Sequence, residues 1–246
     1  MQPESTRISQ PLYESVRARV VDRLRSGHWA PGDRLPTEPE LALEFDVGIG
    51  TIRRAVADLV AEGLLIRRAR RGTSVAKHTD EHSFDLYFSF VDAEGQPVKL
   101  KAQLLSFKKE RANPDVARAL RLERGARVAR IENLRLLDDT PMMVDRIWIP
   151  LDRFVDLNAD AFAGRRTSIY GFYQERFGVS VVRVVENLGA CSAGEDLARP
   201  LEIAVGDALL RIVRTAYTYN DFPVEFRVRY VNSSGCEYQN VRGLQG

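Results

Sequence analysis

Residues 11–76 read PLYESVRARVVDRLRSGHWAPGDRLPTEPELALEFDVGIGTIRRAVADLVAEGLLIRRARRGTSVA, and this stretch has the clearest folding pattern in the chain. A first helix is predicted over 12–26, where apolar residues recur every four positions: Leu12, Val16, Val20 and Leu24. Thr37 followed by Glu40 has the spacing of a capping box, so we expect a second helix that begins there and continues through Phe45.

A third helix is predicted over 49–62, after a short break at 46–48. Its apolar positions share one face by helical spacing: Ile49, Ile52, Val56, Leu59 and Val60. Gly63 is expected to end this helix, because glycine is the common residue just past a helix C-terminus. Two short strands are then predicted, at 64–66 and 74–76, and they would form a hairpin.

The part of the chain from residue 48 to 78 is basic, although the net charge of the whole chain is only +2. It contains only two acidic residues, Asp58 and Glu62, and its basic residues are Arg53, Arg54, Arg67, Arg68, Arg70, Arg71 and Lys77. Three helices followed by a basic hairpin are typical of a winged helix-turn-helix, which binds DNA. The alternative is a solvated basic face on an ordinary helical domain.

The side of the third helix opposite its apolar face, together with the hairpin, supplies the candidate DNA contacts. Small residues would let the helix approach the bases, while arginines would contact phosphates or guanine edges. Arg54 points away from the apolar positions, so we predict that it contacts bases. The full set of predicted DNA-binding residues is Gly50, Thr51, Arg53, Arg54, Arg67, Arg68, Arg70, Arg71 and Gly72.

This segment resembles the DNA-binding domain of GntR-type regulators. The shared residues are Pro11-Leu12-Tyr13, Pro31-Gly32, Leu35-Pro36-Thr37-Glu38, Glu40-Leu41, Val47, Thr51-Ile52-Arg53, Ala55, Gly63 and Gly72-Thr73. The resemblance implies a DNA-binding transcription regulator. That family usually has a Ser-Arg pair where Gly48 and Ile49 stand, a polar or basic residue at Pro39, and a glycine at Arg70. Since the usual base-reading arginine is absent, we expect phosphate contacts like those of the family and a different base preference.

Beyond residue 83 the pattern changes to short strands with few helices. The strands are predicted at 84–91, 102–107, 128–137, 142–149, 181–188, 209–219 and 224–231, and the helices at 114–121, 167–177 and 192–199. This pattern is typical of an α+β domain with a mostly antiparallel sheet. We therefore expect a winged helix-turn-helix domain over 8–77, a linker over 78–83 and the α+β domain over 84–241.

An internal repeat runs through this second domain. The two copies are Leu120, Leu122, Gly125, Val128, Arg130, Ile131, Asp139, Pro141, Met142 and Leu201, Ile203, Gly206, Leu209, Arg211, Ile212, Asp221, Pro223, Val224. Each copy has the pattern of a helix end, a glycine turn, a long strand, a tight turn and a partner strand. Two such hairpins side by side would form one continuous sheet with a crevice between the halves, and such crevices are common binding sites. The alternative is a duplicated scaffold that binds no ligand.

The second domain resembles the UTRA effector domain of HutC-like GntR regulators, which shares the chorismate lyase fold. The matching pieces are Leu134-Arg135, Asp139-Thr140-Pro141-Met142, Trp148-Ile149-Pro150, Ser168-Ile169-Tyr170, Arg176-Phe177-Gly178-Val179, Gly206, Leu209-Leu210-Arg211 and Phe222-Pro223-Val224-Glu225. That family's pocket has an Arg-x-Arg pair, a serine and a glutamate. The resemblance assigns these roles to Arg135, Ser168 and Glu225, with Asn133 in place of the first arginine.

The last predicted strand extends this candidate pocket, because residues 225, 227 and 229 share one face of a strand. Arg227 and Arg229 would then flank Glu225, and an arginine fork suits a carboxylate or a phosphate. The alternative is that Phe226 and Val228 supply the buried side and the two arginines are solvated. The predicted effector-binding residues are Asn133, Arg135, Ser168, Tyr170, Glu225, Arg227 and Arg229.

The composition of the chain argues against metal sites, catalytic sites and membrane association. The three histidines, His28, His78 and His82, lie in the first third of the chain, and Cys191 and Cys236 form no CxxC pair. We therefore predict no metal, no cofactor and no catalytic residue. No apolar run reaches eighteen residues and no secretory signal is visible, so a cytoplasmic protein without a membrane partner is expected.

The leading prediction is a homodimeric repressor that binds a pseudopalindromic DNA operator under the control of a small, anionic effector. The alternative is an enzyme of the chorismate lyase-like fold that acts on an aromatic acid.

Overall fold

The computed structural model describes residues 11–68, 70–77 and 90–240, in two units that divide after Lys77. The predicted linker and the first six residues of the predicted strand 84–91 lie outside the described ranges. Within those ranges, every helix is too short or too polar to cross a membrane.

The N-terminal unit contains three helices and one hairpin: α1 (Leu12–Arg25), α2 (Glu38–Phe45), α3 (Ile49–Ala61), β1 (Leu65–Arg68) and β2 (Gly72–Val75). The predicted capping box begins α2, because Thr37 Oγ1 accepts from the Glu40 N–H at 3.4 Å and Glu40 Oε2 accepts from the Thr37 N–H at 2.7 Å. Gly63 follows α3 with a φ of +72°, the left-handed conformation that glycine adopts easily. These observations confirm the predicted helices and the predicted hairpin.

The core of this unit lies where α1 packs against α3 and α2 packs against α3. Its buried residues on α1 and α3 are Val16, Val20, Val21, Leu24, Ile52, Ala55, Val56 and Leu59. The predicted apolar faces are wrong at the two helix starts, since Leu12 is 58% exposed and Ile49 is 44% exposed. Each is the first residue of its helix, so it lies at the end of the packed surface rather than within it.

The C-terminal unit alternates strands and short helices, with a single 3₁₀ turn (Tyr219–Asp221). Its elements are β3 (Phe90–Val91), β4 (Lys101–Arg111), α4 (Pro114–Ala119), β5 (Arg127–Leu137), β6 (Thr140–Pro150), α5 (Ala159–Ala163), α6 (Ile169–Phe177), β7 (Arg183–Ser192), α7 (Glu195–Leu201), β8 (Ala208–Thr218), β9 (Phe222–Val231) and β10 (Glu237–Tyr238). The α+β prediction is confirmed. Only α5 and β10 were not expected, because elements of five and two residues are too short to show a periodic pattern.

Six strands form one antiparallel sheet in the order β4-β5-β6-β9-β8-β7. The hairpins β5–β6 and β8–β9 are the two copies of the sequence repeat, and they meet where β6 pairs with β9. Gly125 and Gly206 occupy equivalent turns before β5 and β8, with φ values of +84° and +98°. The predicted continuous sheet of two side-by-side hairpins is therefore confirmed.

Helices and a small sheet cover both faces of the six-stranded sheet. On the first face, α5 and α6 pack over one end of the strands, in a core that includes Ile131, Ile147 and Tyr173. The β3–β10 pair contributes to a second core on this face, with Phe90 against Met143 and other residues. On the opposite face, α4 and α7 pack in two further apolar clusters. A row of polar side chains lies on the first face, between its two cores.

Candidate functional site

Six exposed arginines of the N-terminal unit lie on α3 and on the β1–β2 hairpin, and we call this surface the basic face. Its arginines are Arg53, Arg54, Arg67, Arg68, Arg70 and Arg71. A groove of about 600 Å³ lies between the start of α2 and the hairpin, and it is lined by Arg67, Arg68, Arg70 and Arg71 among others. Gly50 and Gly72 are also exposed and Thr51 is half-buried, so all nine predicted DNA-binding residues have solvent access.

Glu38, which sequence reasoning missed, connects α3 to the hairpin. Its Oε2 accepts from Arg53 Nε at 3.0 Å, and its Oε1 accepts from Arg67 Nη2 at 2.6 Å. Ion pairs at a protein surface contribute only about 0–1 kcal/mol to stability. The effect of Glu38 is therefore mainly to hold two basic side chains of the two elements in one arrangement. No sequence pattern connects residues so far apart, which is why the contact was not predicted.

Arg54 occupies the other side of α3. Its guanidinium carbon lies 3.9 Å from the centre of the Tyr13 ring on α1, while the side chain remains exposed. Arg54 thus extends toward α1, whereas Arg53 extends toward α2 and the hairpin. Base contact by Arg54 stays a prediction, and such contact would require the side chain to leave the Tyr13 ring or to reach DNA from beside it.

The turn of the hairpin holds Arg70 in the left-handed region, with a φ of +62°. A residue with a side chain is strained there by about 1–2 kcal/mol, whereas glycine is not. The GntR resemblance places a glycine at this position, so the arginine adds a cation to the hairpin at the cost of a less favourable backbone conformation.

The C-terminal unit contains a second group of arginines, buried on the first face of the sheet, and we call it the arginine cluster. Its cations are Arg135, Arg165, Arg214, Arg227 and Arg229, and its anions are Asp145, Glu186 and Glu225. Cross-strand pairing brings most of them together, since Asp145 pairs with Arg229 and Arg214 pairs with Arg227. Charged residues are rarely buried unless they are paired, so a buried group of this many charges is unusual in a protein.

Asp145 is fully buried and is the main anion of the cluster. Arg229 donates two hydrogen bonds to it, at 2.6 Å from Nε and 3.0 Å from Nη2, and Arg135 Nε donates at 3.3 Å. A terminal nitrogen of Arg227 lies 3.7 Å away. Burial by itself would raise the pKa of Asp145, but the surrounding arginines outweigh it and hold that pKa far below its usual value. The carboxylate is therefore charged at neutral pH.

Glu225 is the second fully buried carboxylate, and it connects β9 to α6. Its Oε2 accepts from the Tyr173 hydroxyl at 2.6 Å and from Arg227 Nη2 at 2.8 Å, while its Oε1 accepts from the Tyr170 hydroxyl at 3.2 Å. Burial and the nearby Glu225 charge raise the pKa of both tyrosines. The two hydroxyls thus remain protonated and act as hydrogen-bond donors.

Glu186 closes the cluster on the β7 side. Its Oε1 accepts from Arg214 Nε at 2.7 Å and its Oε2 accepts from the Tyr238 hydroxyl at 2.7 Å. Burial would raise the pKa of Glu186, yet Arg214 and the Tyr238 hydroxyl lower it below its ordinary value. These contacts tie β7, β8 and the short strand β10 to the same charged network.

The predicted effector residues are largely brought together. Arg227 and Arg229 are 4% and 3% exposed on the same face as Glu225, so the alternative of a solvated arginine face is wrong. Their neighbours Phe226, Val228 and Tyr230 pack on the opposite face. Ser168 is the N-cap of α6, where its Oγ accepts from the Gly171 N–H at 3.1 Å. Asn133 and Arg135 lie on β5, and Asn133 is the cross-strand partner of Asp145.

Asn133 is the least satisfied polar residue of the site. Its side chain is fully buried, and neither Oδ1 nor Nδ2 has a hydrogen-bond partner among the described residues. A buried amide without partners costs about 1–3 kcal/mol, so such groups normally bind water or a ligand. Asn133 therefore offers one donor group and one acceptor beside Asp145.

The repeat contains a signal that sequence reasoning did not use. Asn133 and Arg214 occupy equivalent positions, each three residues after the arginine of its copy, and Asp145 and Arg227 each follow the turn proline by four. Aligning the copies would therefore have placed Arg214 and Asp145 in the site. Arg165 precedes α6 and belongs to neither copy, so the repeat could not have found it.

The chain combines two units: a winged helix-turn-helix, and a separate α+β unit that contains a buried charged site. This combination is typical of one class of protein. Such chains are transcription regulators with a DNA-binding unit and a ligand-binding unit. Two family models match the sequence: "Bacterial regulatory proteins, gntR family" over residues 12–75, and the UTRA domain over residues 95–235. The chain belongs to the gntR family of bacterial regulatory proteins and carries a UTRA domain, which confirms both resemblances.

Similar proteins agree with this assignment. The probable fructoselysine utilization operon transcriptional repressor of Escherichia coli K12 is 32% identical over 216 residues, which are 87% of this chain and 88% of that protein. The repressor NagR of Bacillus subtilis is 28% identical over 85% of this chain and 86% of its own length.

Solved structures of related proteins share the fold. The ligand-binding domain of a GntR-family regulator from Bordetella bronchiseptica is 29% identical, with a TM-score of 0.61 over 64% of this chain and 98% of that one. PhnF of Mycobacterium smegmatis, at 21% identity, shares the fold with a TM-score of 0.54 over 94% of this chain and 100% of its own.

Proposed function

We propose that this protein is a transcriptional repressor whose operator affinity is changed by a small anionic effector bound at the arginine cluster. The observation that carries this proposal is the charge of the cluster. Among the described residues, five arginines and three carboxylates belong to this site, so its cations outnumber its anions. Uncompensated buried charge is costly, so an anion would stabilise the site.

Arg135 is the cation best placed to bind that anion. Its hydrogen bond to Asp145 is long, at 3.3 Å, and its side chain is 16% exposed. Burial is the main cause that lowers the pKa of Arg135 to about 10, and the charges of Arg229, Arg227 and Arg165 lower it further against the opposing effect of Asp145. A guanidinium fork binds a carboxylate or a phosphate with two parallel hydrogen bonds.

The rest of the effector would contact the uncharged groups of the site. Asn133 offers a donor and an acceptor without partners among the described residues. Tyr170, which donates to Glu225, lies on α6, and Ser168 is the N-cap of that helix. We therefore propose that the effector carries hydroxyl or amide groups in addition to its anionic group.

The names of relatives support an effector that carries an anionic group. They are called repressors of fructoselysine utilization, of mannosyl-D-glycerate transport and metabolism, and of histidine utilization. All three compounds carry a carboxylate. Repression is proposed for this chain on the same basis, because each of these relatives is named a repressor.

On DNA, we propose that two chains bind one pseudopalindromic operator as a homodimer, since each chain supplies one basic face and a half-site fits one recognition helix. Static light scattering of the protein alone and with a selected operator measures this directly. We expect two chains per duplex, and one chain per duplex would contradict the proposal.

The two buried carboxylates favour a regulator over an enzyme of the chorismate lyase-like fold, because the groups around them already occupy both. Asp145 stays ionised because its pKa is far below the usual value, and Glu225 is held by two tyrosines and Arg227. Both act as anchors of the network. Incubation with chorismate should therefore release no pyruvate, and sustained release would support the enzyme instead.

The effector proposal is tested by thermal shift with pairs of compounds that differ in charge, such as glucose 6-phosphate and glucose. A ligand that binds the folded state raises the melting temperature. We expect stabilisation by anionic members only. Equal stabilisation by the uncharged partners would contradict an anion site.

A further inference from the structure

The first turn of α3 is apolar although it belongs to the basic face. Ile49, the first residue of the helix, is 44% exposed, whereas Ile52 three residues later is completely buried. Ile49 and Arg53 are four residues apart and therefore lie on the same side of the helix. The Arg53 side chain is 66% exposed on that side. An exposed isoleucine thus lies beside the arginine that pairs with Glu38.

The residues on both sides of Ile49 have no side chains and leave the Ile49 side chain exposed. Gly48 and Gly50 flank it, and a Cβ added to either glycine would meet no other atom within 4 Å. Among the described residues, none packs against the two glycine positions, and the absence of side chains there lets another molecule come close to the backbone. The exposed surface between the two glycines consists mainly of the Ile49 side chain.

We propose that Ile49 contacts the C5-methyl group of a thymine in the major groove and so determines which base the operator has at that position. The N-terminal residues of a recognition helix contact base edges. Among the groups that bases present in the major groove, the thymine methyl is the apolar one. Contact with it buries aliphatic surface on both sides, whereas contact with a donor or acceptor edge would leave that group without a partner. This inference rests on DNA binding by the N-terminal unit and is independent of the effector.

The test begins with an operator selected from random duplex DNA by the full-length protein. Each thymine of that operator is then replaced in turn by deoxyuridine, which lacks only the methyl group. Loss of one buried methyl-sized contact should weaken wild-type binding about fourfold at one position of each half-site. Wild-type affinity that is unchanged by every uracil substitution would overturn the proposal.

Protein variants connect that position to Ile49. Ile49→Ala should bind the thymine and uracil operators equally, because it lacks the side chain that senses the methyl. Leu43→Ala is the matched control, since Leu43 is an 85% exposed aliphatic residue on α2. It should keep the wild-type preference for thymine. If Ile49→Ala still discriminates thymine from uracil as wild type does, Ile49 is not the contact.

A substitution by arginine provides a gain of function. Ile49→Arg should shift the preferred base at the same position from thymine to guanine, because a guanidinium pairs with the guanine O6 and N7 atoms. A repeated selection from random DNA measures this shift. Retention of thymine by Ile49→Arg would count against the proposal.

Discussion

The two units use arginine in opposite ways. On the basic face, six arginines are exposed, and Glu38 is shared by two of them. In the arginine cluster, five arginines are largely buried, and one carboxylate, that of Asp145, lies within 4 Å of three of them. The first surface keeps its charge in contact with water, while the second balances most of its charge with carboxylates inside the protein.

This difference separates two kinds of anion recognition. Exposed cations displace the counterions that are condensed on DNA phosphates, so their binding depends strongly on salt. Buried cations are screened little and need partners of fixed geometry, so their residual charge selects a ligand of matching size and charge. We expect variants of the two regions to differ in both stability and salt dependence.

The largest expected effect is on stability, from Asp145→Asn. This change keeps the shape of the side chain but leaves Arg229, Arg227 and Arg135 without their shared anion. Removing one partner of a buried ion pair typically costs about 3–5 kcal/mol. Urea unfolding followed by circular dichroism measures it. The control is Asp139→Asn, whose pair with Lys101 is 79% and 70% exposed and should cost less than about 1 kcal/mol. Similar losses in both variants would remove the contrast between buried and exposed ion pairs.

The next effect concerns DNA binding by the hairpin. Replacing Arg70 and Arg71 together with alanine should weaken binding to all sequences alike. The slope of log K against log salt should fall by about 0.9 for each lost phosphate contact. A salt titration with operator and unrelated DNA measures both quantities. Arg118→Ala with Arg199→Ala, two exposed arginines of the C-terminal unit, is the control and should leave the slope unchanged. An unchanged slope in the hairpin variant would mean that the hairpin arginines are only solvated.

The smallest effect is expected from Glu38→Gln. Loss of this charge frees Arg53 and Arg67 and removes a repulsion from phosphates. Unrelated DNA should bind more tightly at low salt by up to about fivefold, the equivalent of ~1 kcal/mol. Glu62→Gln is the matched control, because Glu62 pairs with Arg17 at the surface and lies beyond the end of α3. Weaker binding by Glu38→Gln would contradict this prediction, and it would mean that DNA binds the arrangement in which Glu38 holds the two arginines.

The sequence alone predicted most of the fold. The capping box at Thr37 and Glu40 placed α2, and the repeat predicted that two hairpins would form one sheet. The position of Ile49 was wrong, because helical spacing shows which residues share a face but not where the packed surface ends. Asp145 and Arg214 could have been predicted from the repeat, where they are equivalent to Arg227 and Asn133, whereas Arg165 could not, because it lies outside both copies.

The central claim is that the arginine cluster serves the effector and the basic face serves DNA. Its most direct test is an operator-release titration of wild type and Arg135→Ala with the anionic ligand that stabilises wild type most. Loss of a charged hydrogen bond costs about 1.5–3 kcal/mol, so the variant should need about ten- to a hundredfold more ligand for release. Its operator affinity without ligand should equal that of wild type. Weaker operator binding by the folded variant, or release at the wild-type ligand concentration, would contradict the account.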